Sequence, residues 1–283
     1  MPVVYLNGEF LPADEAKISV FDRGFLFGDG VYEVIPVYDR QSFRLASHLS
    51  RLQNSLDGIR MQNPFSEVEW TALIEQIIAK NEMNDQAVYL QVTRGVAPRD
   101  HLFPENVPPT VFMMSNPLKP VAVDFKEQGI SAITVEDIRW QYCDIKAISL
   151  LPNTMMRQQA HEQGAQEAIM LRDGLMTEGS ASNSYAIFDN VIYTAIKDKR
   201  VLPGITREVV FDLAVQAGIA IKEQELALER LYQADEIWIS SSTRELLPVT
   251  RLDGKLVGTG QPGPVWKKLD NAYQQLKRKT NNE

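Results

Sequence analysis

Apolar residues recur along this chain at two spacings. Leu45, Leu49, Leu52, Leu56 and Ile59 lie three or four apart, which predicts an amphipathic helix over residues 45–60. Ser66 and Glu69 form a capping-box pattern ahead of Trp70, Ile74, Ile77 and Ile78, which predicts a second helix. Val3 to Leu6 and Glu9 to Leu11 flank Asn7-Gly8 and read as an opening hairpin. Ala87 to Arg94 and Thr110 to Met114 are β-rich. Pro117 and Pro120 then interrupt the pattern, so we expect a smaller α/β domain over 1–117, a linker at 118–122 and a second domain over 123–283.

The second half predicts a helix from Asn153 to Gln163 that stops at Gly164. Two hairpins follow, one turning at Asp173-Gly174 and one at Asp189-Asn190. Thr206 is expected to cap a helix running to Ala217, Asp235 to Ser240 reads as a strand, and Val265, Leu269, Tyr273 and Leu276 mark a terminal helix. The polar tail from Lys277 is expected to fray. Strands and helices mixed in both halves suggest two α/β domains, with a pocket between them as the default site.

Composition narrows the function. A net charge of −8 disfavours a nucleic-acid or anionic-membrane partner. The single cysteine, Cys143, excludes an internal disulfide and suits a reducing, cytoplasmic setting. Neither a signal peptide at Met1 to Gly8 nor an apolar run of membrane-spanning length is expected. Three histidines, one cysteine and no HExxH or CxxC leave little room for a metal site.

The candidate chemistry centres on Lys146, in a stretch that reads as buried strand. An ammonium is costly to bury, and a neutral amine in an apolar pocket is a nucleophile suited to a Schiff base with an aldehyde. The alternative is a lysine at a strand end whose head reaches water. Gly204-Ile205-Thr206 leads into a helix and offers backbone N–H groups to a phosphate, although an ordinary N-cap looks the same. Ser240 to Thr243 is a second hydroxyl cluster after a strand, and Arg51 lies among the leucines of the first helix, where a solvated arginine is the plain reading. A carboxylate such as Glu178 suits a pyridine nitrogen. Together these needs describe pyridoxal 5'-phosphate.

Further motifs carry a resemblance over nearly the whole chain. They are Asp22-Arg23-Gly24-Phe25, Phe27-Gly28-Asp29-Gly30-Val31-Tyr32-Glu33, Gln91 to Gly95, Phe103 to Asn106, the string around Lys146, Thr177 to Ser180, Gly204 to Arg207 and Asp235-Glu236. In this order and spacing the chain resembles the fold-type IV, class IV pyridoxal-phosphate aminotransferases, and among them the bacterial D-amino-acid enzymes. The resemblance implies two α/β domains with the cofactor at their interface, in a homodimer with shared active sites. By it, Lys146 matches the Schiff-base lysine and Glu178 the partner of the pyridine nitrogen. Arg51, Ile205, Thr206 and Ser242 match phosphate-site positions, and Leu202 matches a leucine against the cofactor ring. Arg99 and His101, supplied by the neighbouring subunit, would grip the substrate carboxylate with help from Tyr32.

The implied reaction takes D-alanine and 2-oxoglutarate to pyruvate and D-glutamate. Ala181, Ser242 and Arg244 depart from the relatives' serine, threonine and serine; the first affects hydroxyls near the cofactor, the others the substrate entrance. The alternatives are a branched-chain L-amino-acid aminotransferase, which lacks the Arg-x-His grip, an aminodeoxychorismate lyase, and a cofactor-binding protein without transferase activity. Retention of both Lys146 and Glu178 argues against the last.

Overall fold

The structure, a computed structural model, describes residues 2–280. Its backbone divides into two compact units. The first holds residues 2–119 together with 145–150; the second holds 120–144 and 151–280. The segment carrying Lys146, which the sequence reading places in the second domain, thus packs within the first unit.

In the first unit, β1 (Val3–Leu6) and β2 (Glu9–Pro12) form the expected hairpin, with Asn7 and Gly8 in left-handed conformation at φ 49° and 104°. A short α1 (Arg23–Phe27) leads to β3 (Gly30–Tyr38) and β4 (Gln41–Ser42). Then come α2 (Leu45–Gly58), α3 (Glu67–Lys80), β5 (Gln86–Thr93) and β6 (Thr110–Pro117). The strands make one antiparallel sheet in the order β2-β1-β6-β5-β3-β4. Leu49, Leu52 and Leu56 of α2 and Trp70, Ile74 and Ile77 of α3 bury against Val31, Ile35, Val88 and Leu90 of the sheet. The Ser66–Glu69 capping box forms as the sequence requires. Strand β3 and helix α1 escaped the sequence reading. Glu33, Pro36 and the glycines around them break the apolar alternation that marks a strand.

In the second unit, α4 (Val123–Glu127) precedes β7 (Ile130–Glu136), α5 (Leu151–Glu162), β8 (Glu167–Arg172), β9 (Leu175–Gly179), β10 (Asn183–Phe188) and β11 (Val191–Thr194). After them run α6 (Ile205–Gln216), β12 (Ile221–Glu223), α7 (Leu228–Leu231), β13 (Glu236–Ser241), β14 (Glu245–Leu252), β15 (Lys255–Leu256) and α8 (Pro264–Thr280). Its sheet is mixed, in the order β12-β11-β10-β13-β14-β7-β8-β9 with β15 on β14. Strands β7 and β14 were missed as well. Helix α8 runs through Thr280, so the expected fraying from Lys277 is not seen up to that point, and residues 281–283 lie outside the described residues. Among the described residues no helix is long and apolar enough to cross a membrane.

Candidate active site

Alternation along β3 turns Val31, Glu33, Ile35 and Val37 to one face, which packs on α2 and α3. Glu33 is therefore a fully buried carboxylate in an apolar row. Helix α2 answers it with His48, Arg51 and Ser55, spaced i, i+3, i+7 along one buried ridge between its leucines. Arg51 donates to Glu33 through Nε at 2.8 Å and Nη2 at 2.7 Å, and His48 Nδ1 lies 2.7 Å from Oε2. Burial works to raise the Glu33 carboxyl, but the Arg51 guanidinium and His48 more than offset it and hold the group down at about 2. Burial lowers His48, which favours the neutral ring. Arg51 is thus a clamped, buried arginine rather than a solvated one.

The pairing has a consequence for stability. Glu33→Gln sets a buried guanidinium against a neutral amide, so the unfolding free energy at pH 7 is expected to fall by about 3 kcal/mol, read from urea denaturation. In the parent the contribution of this carboxylate is fully present above its ordinary 4.5 and is lost as pH falls toward about 2. The variant is expected to lack that part of the acid dependence; superimposable stability–pH curves would rule the role out.

Lys146 does not lie in a buried strand. It is half-buried in an irregular segment, where Ala147 bonds back to Ile145 and Leu150 back to Ile148. The reason lies in β3: β4 covers only Val37 and Tyr38, leaving the start of that strand open. The Lys146 segment docks there, with the Tyr32 amide donating to the Lys146 carbonyl at 3.0 Å and the Ile148 amide to the Gly30 carbonyl at 3.1 Å. From α2, Ser55 Oγ accepts the Lys146 amide at 3.2 Å, one turn beyond Arg51. Lys146 Nζ stands 4.1 Å from the centroid of the Tyr32 ring. Lys146, Tyr32 and Arg51 are thereby gathered in the first unit.

Arg99 and His101 lie on the exposed loop between β5 and β6, in the same unit. Both rest on Phe27, Arg99 at 5.3 Å and the His101 ring at 5.6 Å between centroids.

The second unit gathers the rest. Glu178, in β9, is buried and accepts from Arg139 Nη1 at 2.5 Å, from Asn183 Nδ2 at 2.9 Å and from the Leu202 amide at 3.0 Å. Burial pushes its carboxyl up and Arg139 pulls against that. The other side of the Arg139 fork grips Asp137 at 2.9 Å, so the guanidinium joins two acids. Asn183 also donates to the Leu202 carbonyl, fixing that loop. Gly204, not Thr206, is the N-cap of α6. A Cβ at Gly204 would collide with Asn183 Oδ1, which is why the chain needs glycine there. The Glu208 amide bonds back to Gly204, so the amides of Ile205 and Thr206 precede the first intrahelical bond. Asn183 pairs with Ser240 across β10 and β13, which brings the end of β13 and the following Ser242 to the same end of the sheet. Arg244 is held by Glu167 at 3.0 Å and by the Gln166 carbonyl, so it serves the packing of this unit.

The sequence reading assigned no role to Glu33, His48, Arg139 or Asn183. A signal existed for His48, one of the polar residues at helical spacing among the leucines of α2, while Glu33 lies in a strand whose alternation it breaks. Nothing in sequence spacing pairs Arg139 with Glu178, 39 residues away.

A family model described as amino-transferase class IV matches residues 30–252. The D-alanine aminotransferase of Bacillus licheniformis is 41% identical over 271 residues, 96% of this chain and 95% of that protein. Among solved structures, the branched-chain amino acid aminotransferase of Escherichia coli is similar at a TM-score of 0.92 and 29% identity, covering 97% of this chain and 94% of that one. A branched-chain amino acid aminotransferase from T.th., solved with pyridoxamine 5'-phosphate, gives a TM-score of 0.92 at 26% identity, covering 97% and 93%.

Proposed function

Since the chain belongs to the class IV aminotransferases, we propose that it is a pyridoxal-phosphate-dependent D-amino-acid transaminase, taking D-alanine and 2-oxoglutarate to pyruvate and D-glutamate. The observation that carries the chemistry is the lysine head held 4.1 Å over Tyr32 on the open start of β3.

The residues present suit the cofactor. Amides of Ile205 and Thr206 at the head of α6, with Ser242, are donors of the kind a phosphate needs, and the resemblance assigns the clamped Arg51 to the same phosphate. Glu178 is a buried acid fixed on three sides, as a partner for a pyridine nitrogen must be. Leu202, anchored through both its amide and its carbonyl, offers an apolar side chain to the ring. When bound, pyridoxal 5'-phosphate supplies an aldehyde that condenses with amines and a ring that takes up the electrons of the substrate Cα–H bond. Lys146 Nζ would hold the cofactor through that aldehyde and, once freed by the substrate amine, would carry the proton taken from the substrate Cα. Glu178 would keep a proton on the ring nitrogen, and Arg139 and Asn183 hold Glu178 in place. Arg99, His101 and Tyr32 bind the α-carboxylate, which fixes the enantiomer whose Cα–H meets Lys146.

We further place the enzyme in the cytoplasm, which its lone cysteine suits, as a homodimer with shared sites. Support for association comes from Ile18, Val20, Phe21, Phe25, Leu102 and Phe103 of the first unit, large apolar side chains left exposed. Sedimentation at twice the 32.0 kDa chain mass is the check.

The deciding assay incubates purified protein with D-alanine and 2-oxoglutarate and follows pyruvate, with L-leucine as contrast. Pyruvate formed from D-alanine, with L-leucine the poorer donor, is the expected result. Preference for L-leucine would move the chain to the branched-chain group, and pyruvate formed only from aminodeoxychorismate would make it a lyase.

A further inference from the structure

The Asp22-Arg23-Gly24-Phe25 motif has no part in the reaction described above, yet Asp22 and Arg23 are among the most buried polar residues of the first unit. Asp22 caps α1 through the Gly24 amide at 2.7 Å and accepts the hydroxyls of Thr93 at 3.1 Å and Thr110 at 2.6 Å. Those two threonines are the last residue of β5 and the first of β6, the two stalks of the loop that bears Arg99 and His101. Gly95 sits at the base of that loop at φ 89°, where a Cβ would collide with the Pro108 carbonyl oxygen, so the stalks approach too closely for any side chain.

Arg23 does more than brace the stalks. Its Nε donates to Asp29 at 2.8 Å, and its Nη1 donates to the carbonyl oxygen of Asp100 at 2.6 Å. Asp100 is the residue between Arg99 and His101. Arg94 donates to the same oxygen of Asp29 at 2.8 Å and, through Nη2, to the Ile59 carbonyl at 2.8 Å. Its guanidinium also stacks 3.7 Å from the Phe103 ring. Phe27, one turn beyond Arg23 on α1, is a shared platform: the Arg23 guanidinium lies 4.7 Å above it, Arg99 at 5.3 Å and the His101 ring at 5.6 Å. A single, largely buried acid thus orients two arginines, and these fix the tip and the far side of an otherwise exposed loop.

We propose that Arg23 is a positioning residue for substrate recognition: the Asp29–Arg23 pair, with Phe27, sets the loop so that Arg99 and His101 present their donors to the α-carboxylate. The inference rests on the reading of Arg99 and His101 as the carboxylate grip. Lysine at position 23 keeps the charge opposite Asp29 but has one nitrogen, so it cannot serve Asp29 and the Asp100 carbonyl in the fork geometry of arginine.

The test uses the holoenzyme carrying Arg23→Lys, Arg99→Ala, both together, and Phe27→Leu. KM and kcat are measured for D- and L-alanine at saturating 2-oxoglutarate, with cofactor dissociation followed by absorbance. Arg23→Lys is expected to raise KM for D-alanine about tenfold, the scale of one lost charge-assisted hydrogen bond, and to narrow the D-to-L preference by a similar factor. Cofactor dissociation is expected to be unchanged. Arg99→Ala is expected to do more, and the double variant to be no worse than Arg99→Ala alone, because Arg23 acts through that loop. Hydrogen exchange at the Leu102 amide, which donates to Asp100 Oδ1 at 3.1 Å, is expected to accelerate in Arg23→Lys. Phe27→Leu, at a half-buried position that tolerates the change, is expected to reproduce the KM effect even where Arg23→Lys folds poorly. Parent KM and D-to-L ratio in both Arg23→Lys and Phe27→Leu, beside an impaired Arg99→Ala, would overturn the proposal, as would additive losses in the double variant. An Arg99→Ala enzyme with parent kinetics removes the grip reading itself, and this inference with it.

Discussion

Lys146→Ala is expected to abolish transamination, lowering kcat/KM for D-alanine by about 10⁴-fold or more. General acid–base transfer alone contributes roughly 10²–10⁴-fold, and in our proposal the same amine is also the covalent attachment point. The fold should survive. Lys146 is half-buried, and its segment is tied to β3 and α2 by backbone groups that alanine retains: the Lys146 carbonyl to the Tyr32 amide and the Lys146 amide to Ser55. Melting within a few degrees of the parent, together with loss of turnover and of the visible absorbance expected of the parent holoenzyme when its cofactor is joined to Lys146, is the combined result to look for. Turnover of D-alanine by this variant at the parent rate would remove Lys146 from the reaction.

Glu178→Gln is expected to lower kcat about 10³-fold while changing cofactor affinity only a few-fold. The carboxylate is buried, and three donors aim at it. An amide of the same shape keeps at most two of those contacts through its single oxygen and cannot hold the proton on a ring nitrogen, and a preorganised electrostatic partner in a buried site is worth about 10²–10³ in rate. The donors we assign to the phosphate at the head of α6 are untouched, so titration of the apoprotein with pyridoxal 5'-phosphate should be nearly unaltered. Removing the Glu178 charge also leaves Arg139 between one acid and one amide. Asp137 still grips Arg139 at 2.9 Å, which limits the structural loss. A variant with the parent kcat and merely weaker cofactor binding would show that Glu178 acts as an anchor only.

Both results turn on local surroundings that the sequence displays unevenly. The leucine stripe of α2, the capping box of α3, the Asn7-Gly8 turn and the two hairpins of the second unit follow from spacing and turn chemistry, because neighbours in sequence make those contacts. Strands β3, β7 and β14 stayed hidden for the opposite reason. They bury residues against partners distant in sequence, so apolar alternation is blurred by Glu33 in one and by near-continuous burial in another. Thr206 looked like a cap because threonine is a good one. The observed cap is Gly204, two residues earlier, where Asn183 leaves no room for a side chain.

The residue types to which we assign the chemistry were legible along the chain: a lysine, an acid, a glycine-led helix start and an Arg-x-His loop. Their order pointed to the family. The state of each group was settled only by folding. Lys146 lies on the open start of β3 because β4 is too short to cover it. Arg51 is clamped rather than solvated because β3 buries a carboxylate opposite its helix. Glu178 is held by Asn183, just beyond the turn that follows β9, and by Arg139, 39 residues away, which only the fold of the second unit brings to it. One cause is common to all three. Charge and hydrogen-bond partners act through distances of about 3 Å, and only the folded backbone brings groups from remote parts of the chain within that range.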